Sequence, residues 1–439
     1  MKLKKRTLIA LLLVSIFSCS QDKIVELPLT IQNGFSPFHP GLVVMDVTSE
    51  FENHPMNNSW LKISKFPEGL TDIKYGDIIS NMYQFVFQNY VLGNIPEDWY
   101  KKANYHKIWE NLDTLTLSRT PIRTQIAFAY GKDSEGNLKI AVDVNGNLDL
   151  SDDKLFTALE MTTLYSSTNV DSLVNAHIFN VPLEIFVKEK IAPVNVPLLI
   201  IYNNRINKFM YGLSLCATSR YKGEQIAVSP KGVWLYQYEK GGNDLKLALI
   251  NNLKEGERVI EEDIHKKDDY IEIKNEIYKI IGVNVEMHTL VLEKTGLPKS
   301  QLFTTQVGFK PYPFQEEEFT TKTAISLEDF KGKYVFLDFW AEWCAPCIAE
   351  LPYLKELYSK TDRTKFEIIG IAGRSTADGI KRLIEQYEIT WFQILSDEIV
   401  KMYGITSFPT TILLDTEGFI VAKNLRGVQL EEKILSLIK

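Results

Sequence analysis

The run "KYVFLDFW", Lys333 to Trp340, is apolar after its leading lysine except for Asp338, and it leads within three residues into "CAPC" and the helical pattern "IAELPYLKELYSK". A run of that kind reads as a strand buried on both faces, the requirement of an inner strand of an α/β sheet. Cys344 and Cys347, two of the four cysteines, then fall at a strand-to-helix junction. The alternation continues: "FEIIGIAG" is a second buried strand, "TADGIKRLIEQYEI" a helix, and "TTILLDTEGFIVAKNLRG" a hairpin turning at Glu417-Gly418. The closing "QLEEKILSLIK" is amphipathic, with Leu430, Ile434, Leu437 and Ile438 on one face. Residues 308–439 are therefore expected to form an α/β domain, and about 130 residues suffice for a core of its own.

The preceding two-thirds has a different texture. "LKIAVDV", "VPLEIFV", "VPLLIIY" and "YIEIKNEIYKI" alternate or run apolar for a few residues between Gly, Asn, Asp and Pro, which predicts a β-rich region. Asn81 to Leu112 is expected to interrupt it with helix. Turn residues at Ser166 to Asp171 suggest two β-rich modules, 24–165 and 166–305. The expected class is thus α+β multidomain, a β-rich N-terminal region followed by an α/β domain. A net charge of −7, with no basic cluster after the first six residues, argues against a nucleic-acid surface. Those six, "MKLKKR", precede the apolar "LIALLLVSIF", which is shorter than the roughly 20 residues that span a bilayer and reads as an export signal. It ends in "IFSC", which resembles a bacterial lipoprotein box. Residues 1–19 are then the signal peptide, with Cys19 the lipidated residue and the membrane anchor; ordinary signal cleavage is the alternative. Either way the chain is expected to work outside the cytoplasm, on the periplasmic side of a bacterial membrane.

A metal site at Cys344 and Cys347 would need a second ligand pair, and none of the six histidines lies after His288, so no metal and no cofactor is expected. A disulfide closing so small a loop constrains the unfolded chain little, which leaves redox chemistry. At a helix N-terminus, free N–H groups and the dipole stabilise a thiolate on Cys344, the attacking sulfur, while Cys347 resolves the mixed disulfide. Pro346 suits the first turn because its missing N–H is not needed there. Two carboxylates are candidates to take the proton of Cys347: Glu350, three residues on along the helix, and Asp338, on the entering strand. The plain alternative for Glu350 is a first-turn acid favoured by the dipole.

"FLDFWAEWCAPC" resembles thioredoxin, whose W-C-x-P-C core and buried acid match Trp343, Cys344, Pro346, Cys347 and Asp338. The longer pattern, with "FPTTILLDTEGFIV" and Gly427, is more similar to the TlpA/ResA-like branch of exported, membrane-tethered thiol-disulfide oxidoreductases of the thioredoxin-like family. The resemblance implies a thioredoxin-like fold for 308–439, an acid role for Glu350, a cis bond before Pro409, and substrate contacts at Trp343 and Phe408, where an incoming chain pairs along the backbone. It also implies an exported protein disulfide as substrate, such as apocytochrome c, and a membrane thiol electron donor. No histidine stands beside the nucleophile to stabilise the reduced form, so the expected direction is reduction. A peroxidase on the same scaffold would want Thr and Pro where Ala341 and Leu337 stand. The N-terminal region loosely resembles the β-rich leaders of Bacteroidota-type lipoproteins and transfers no site. The rival from another class is a lipid-anchored binding protein with a regulatory or vestigial dithiol.

Three weaker signals remain. "DVNGNLDLSDD", Asp143 to Asp153, resembles half a calcium loop, but Leu148 and Lys154 stand where Gly and Glu belong, so a polar turn is the better reading. Cys216 reads as a small buried residue. Trp99, Tyr100, Tyr105 and Trp109 read as helix core rather than as a stacking platform.

Overall fold

The structure is a computed structural model that describes residues 23–102, 117–187, 189–213, 215–230, 245–254, 256–284 and 288–438. Cys19, the export signal, Tyr105 and Trp109 lie outside the described residues. The chain divides into two compact units between Thr295 and Gly296.

Among the described residues, the first unit is built on four mainly antiparallel sheets, because its alternating segments offer apolar faces. Thr71–Ile79, Gln125–Lys132 and Leu138–Val142 form one sheet; the hairpin Phe179–Val187 and Lys190–Asn203, with Lys208–Leu213, Val43–Val44 and the parallel Leu159–Glu160, forms another. Their inner residues, among them Ile78, Phe128, Ile140, Leu198 and Phe209, make one core. Thr30–Asn33, Leu215–Tyr221, Glu224–Pro230 and Leu245–Leu249 form the third sheet, and Ile24–Pro28, Thr289–Lys294, Glu276–Asn284 and Tyr270–Ile273 the fourth; these two share Val228, Leu247, Ile271, Tyr278 and Leu292. The "YIEIKNEIYKI" segment is a hairpin whose two turn residues, Lys274 and Asn275, have φ of 51° and 64°, the left-handed pair that a two-residue turn of matching twist requires.

The boundary expected at 165/166 runs across these pairings. Ile24–Pro28 pairs with Thr289–Lys294, Thr30–Asn33 with Leu215–Tyr221, and Val43–Val44 with Lys208–Leu213. Segments from both sides therefore share sheets and cores, and the stretch up to Thr295 is one unit rather than two modules. Of the helical interruption expected over Asn81 to Leu112, Met82–Val91, capped by the Asn81 side chain, and Glu97–Lys102 are helical, and residues 103–112 lie outside the described residues.

In the second unit, a short hairpin of β1 (Gln315–Glu317) and β2 (Ala324–Ser326) precedes the main sheet. That sheet comprises β3 (Tyr334–Trp340), β4 (Phe366–Ala372), β5 (Phe392–Leu395), β6 (Thr410–Leu414) and β7 (Ile420–Lys423), in the order β5-β4-β3-β6-β7. β3 is parallel to β4 and antiparallel to β6. Helices α1 (Ala345–Lys360), α2 (Ala377–Tyr387), α3 (Asp397–Met402) and α4 (Gly427–Leu437) complete it.

Strand alternation sorts β3 into two faces. Val335, Leu337 and Phe339 enter one core, whereas Phe336 and Trp340 enter the other, shared with Cys347, Leu351 and Leu354 of α1 and Leu430 and Ile434 of α4. Asp338 belongs to this second, helix-covered face. Across the sheet it sits between Gly370 and Thr411. Gly370 leaves room for the buried Gln393 amide, which would lie 2.3 Å from a Cβ there and which accepts a hydrogen bond from Trp340 Nε1 at 3.1 Å.

Candidate active site

The site begins where β3 ends. Cys344 caps α1 with an extended backbone; its own N–H donates to Ala341 O at 3.1 Å, and its Sγ accepts from the Cys347 N–H at 3.3 Å. An N–H of the first helical turn is thus aimed at sulfur, where it and the helix dipole stabilise negative charge. Pro346 occupies the first turn, and Cys344 and Cys347 form a disulfide with both residues buried.

Behind the disulfide stand the two acids. Asp338 is 6% exposed, and burial pushes its carboxyl up to about 7; the Glu350 charge pushes the same way and Arg426 opposes both. Burial also raises Glu350, against Arg426 and the Gly427 N–H, which both favour its ionised form. Both acids therefore hold a proton more readily than exposed carboxylates, which suits exchange with a thiol near neutrality. Arg426 lies 3.9 Å from Glu350 Oε2 through Nε, and its Nη2 donates to the Pro409 carbonyl at 2.6 Å.

The rim is aromatic and cationic. Trp343 is 59% exposed, yet its Nε1 donates to Arg374 O at 2.8 Å, so the ring is presented and held. It meets Phe408 edge-on at 5.9 Å. The Phe408–Pro409 bond is cis. Arg374, itself at φ 51°, lies over the Phe408 ring at 5.4 Å and donates to the carbonyls of Ile405 and Thr406. Glu342, beside Trp343, accepts from the Thr376 N–H at 2.8 Å and its hydroxyl at 3.1 Å, joining the loop to the start of α2.

Seven residues singled out in the sequence, Asp338, Trp343, Cys344, Cys347, Glu350, Phe408 and Pro409, thus converge here. Arg426 and Arg374 were missed. The available signal for Arg426 was slight: a single cation between the last strand and the "G" that opens α4. Among the described residues, the weaker candidates do not join this site. Cys216 is buried in the first unit and its thiol is pushed up to about 12 by burial. Trp99 and Tyr100 pack against Met56, Phe85 and Ile95. In Asp143–Asp153, carboxylate and amide oxygens accept the loop's own N–H groups, as from Gly146 to Asp143 at 2.6 Å and from Asp149 to Asn147 at 2.8 Å. Among the described residues, no group of three or more His, Cys, Asp or Glu is placed to hold a metal ion.

Residues 310–423 match the model of the AhpC/TSA family. The thiol-disulfide oxidoreductase ResA of Bacillus thuringiensis subsp. konkukian is 39% identical over 118 residues, 26% of this chain and 67% of that protein. The chain belongs to the ResA-type thiol-disulfide oxidoreductases. The ResA of Halalkalibacterium halodurans is 34% identical over 121 residues, 26% of this chain and 68% of its own length. The solved thioredoxin domain of a thiol-disulfide oxidoreductase from Bacteroides vulgatus is 33% identical, with a TM-score of 0.29, over 32% of this chain and 100% of that one. Residues 310–423 hold the seven residues singled out in the sequence, so the second unit is the oxidoreductase domain and Cys344–Cys347 its redox pair. In this ResA-type domain, Leu337 and Ala341, where a peroxidase would want Pro and Thr, are fully buried apolar side chains.

Proposed function

We propose that this chain reduces disulfides of exported proteins on the periplasmic side of a bacterial membrane, tethered through lipid on Cys19 and recharged by a membrane thiol donor. The observation that carries the reading is the Cys344–Cys347 pair at the start of α1, with the Asp338 and Glu350 carboxyls beside it and no histidine between the cysteines. In the reduced protein, the Cys344 thiolate attacks one sulfur of the substrate disulfide and expels the other as thiolate. Cys347 gives its proton to the carboxylate pair and attacks Cys344, releasing the second substrate sulfur. The substrate gains two electrons, the Cys344–Cys347 disulfide re-forms, and the donor returns the electrons. Trp343 and Phe408 receive the incoming chain, whose backbone pairs along the edge before Pro409.

The testing experiment is the equilibrium reduction potential of the pair in dithiothreitol or glutathione buffers, read by Trp343 fluorescence. A value near about −270 mV supports a reductase, and one near about −120 mV reverses the direction. No reversible transition would transfer support to a ligand-binding lipoprotein. Incorporation of labelled fatty acid into wild type and not into Cys19→Ala checks the anchor. We further propose that the β-rich unit sets specificity; unaltered substrate range after deletion of residues 24–295 would remove that role.

A further inference from the structure

Arg426 is exposed, yet its side chain is committed to the site rather than to a helix cap. It stands at the N-cap of α4 with extended backbone, φ −146° and ψ 156°, and with no side-chain cap bond. Its guanidinium instead reaches two active-site groups from different elements: the Glu350 carboxylate on α1 at 3.9 Å and the Pro409 carbonyl on the loop before β6 at 2.6 Å. The next backbone N–H, that of Gly427, also serves the Glu350 carboxylate.

We propose that Arg426 is a positioning residue that couples the proton-accepting carboxylate of the resolving step to the backbone edge that receives the substrate. The inference rests on the proposed roles of Glu350 and Pro409 and adds a cause for their joint placement. One rigid fork serves both groups, a use for which lysine's single point charge is poorly suited. Coupling through one cation is reciprocal: ionised Glu350 holds the guanidinium against the loop, and a loop in place holds the cation against Glu350. When Cys347 gives up its proton and Glu350 takes it, the ion pair is lost and only the carbonyl contact keeps Arg426 in place. Glu350 also lines a small pocket between α1 and α4, together with Tyr353, Leu354, Gly427, Leu430 and Glu431.

The charged groups that bear on Glu350 are Asp338 on β3, and Arg426 and Glu431 at and on α4, the last paired with Lys360 of α1 at 3.0 Å. Of these, Arg426 is the cation in contact with Glu350. Its removal therefore makes both acids harder to ionise and moves any acid limb of activity to higher pH.

The test is reduction of insulin disulfides by the full chain with dithiothreitol as donor, measured as kcat and KM from pH 5 to 9 for wild type, Arg426→Gln, Arg426→Lys, Glu350→Gln and the Arg426→Gln/Glu350→Gln double variant. In Arg426→Gln the acid limb should move up by about half a pH unit or more and KM should rise several-fold. Arg426→Lys keeps the charge, so its limb should stay while KM rises, and this separates charge from geometry should the glutamine variant fold poorly. In the Glu350→Gln background, adding Arg426→Gln should move the limb much less. Wild-type turnover with an acid limb that none of the Arg426 variants moves, at unchanged KM, overturns this inference and leaves the proposed function standing. Absence of Cys344-dependent turnover in wild type overturns both.

Discussion

Asp77 and Asp338 form a matched pair in the two units. Each sits in a strand, each is 6% exposed, and burial pushes each carboxyl up to about 7. Their neighbours differ. Asp77 Oδ2 accepts from the Leu61 N–H at 2.8 Å and from Gln125 Nε2 at 2.7 Å, both neutral and fixed. Asp338 faces a second carboxylate, a guanidinium and a helix that opens on a disulfide. Burial is the largest cause of the raised titration in both, and it says nothing about chemistry. What marks a site is a reactive group able to exchange the proton.

The sharpest break between the regions is at sulfur. Cys344→Ser should lower disulfide turnover by about 10³-fold or more in the insulin assay, and Cys347→Ser should leave a mixed disulfide visible on a non-reducing gel. The buried Cys216 should show neither effect. Next in size, Asp338→Asn should lower kcat at pH 7 by about 10²-fold, the scale of a lost proton-transfer group, while Asp77→Asn stays within about twofold of wild type. Equal losses from both would dissolve the contrast.

Stability should unite what activity divides. A carboxyl whose folded titration point is raised from 3.8 to about 7 binds more protons folded than unfolded, so its contribution is full below about pH 4 and is lost as pH rises through about 7. Urea unfolding at pH 5 and pH 8 should therefore show each Asp→Asn variant gaining on wild type at the higher pH, on the order of 2 kcal/mol. A gain that shrinks with pH contradicts the stated cause. The smallest effect belongs to Cys216→Ser: a loss on the order of 1 kcal/mol in urea unfolding, from placing a hydroxyl at an apolar site, with turnover unchanged.

Much of the redox site was legible because its chemistry is local. A strand, a junction and a helix start are contiguous in sequence, so Asp338, Trp343, Cys344, Cys347 and Glu350 could be ordered along one segment, and Pro409 and Phe408 came with the family pattern. The first unit was legible only as strands. Period-two alternation tells that a segment has one buried face and gives no hint of its partner, which is why the expected split at 165/166 failed against pairings such as Ile24–Pro28 with Thr289–Lys294.

From the sequence by itself came a redox dithiol at a helix start, its flanking acids, the α/β texture around them and the β texture before them, since spacing and periodicity are properties of neighbours along the chain. Tertiary structure alone decided that Arg426 joins Glu350 to Pro409, that Arg374 braces Phe408 and receives Trp343, and that the β segments form one unit. Those contacts join elements distant in sequence, and only the packing of the whole core brings such charges and strands to one place.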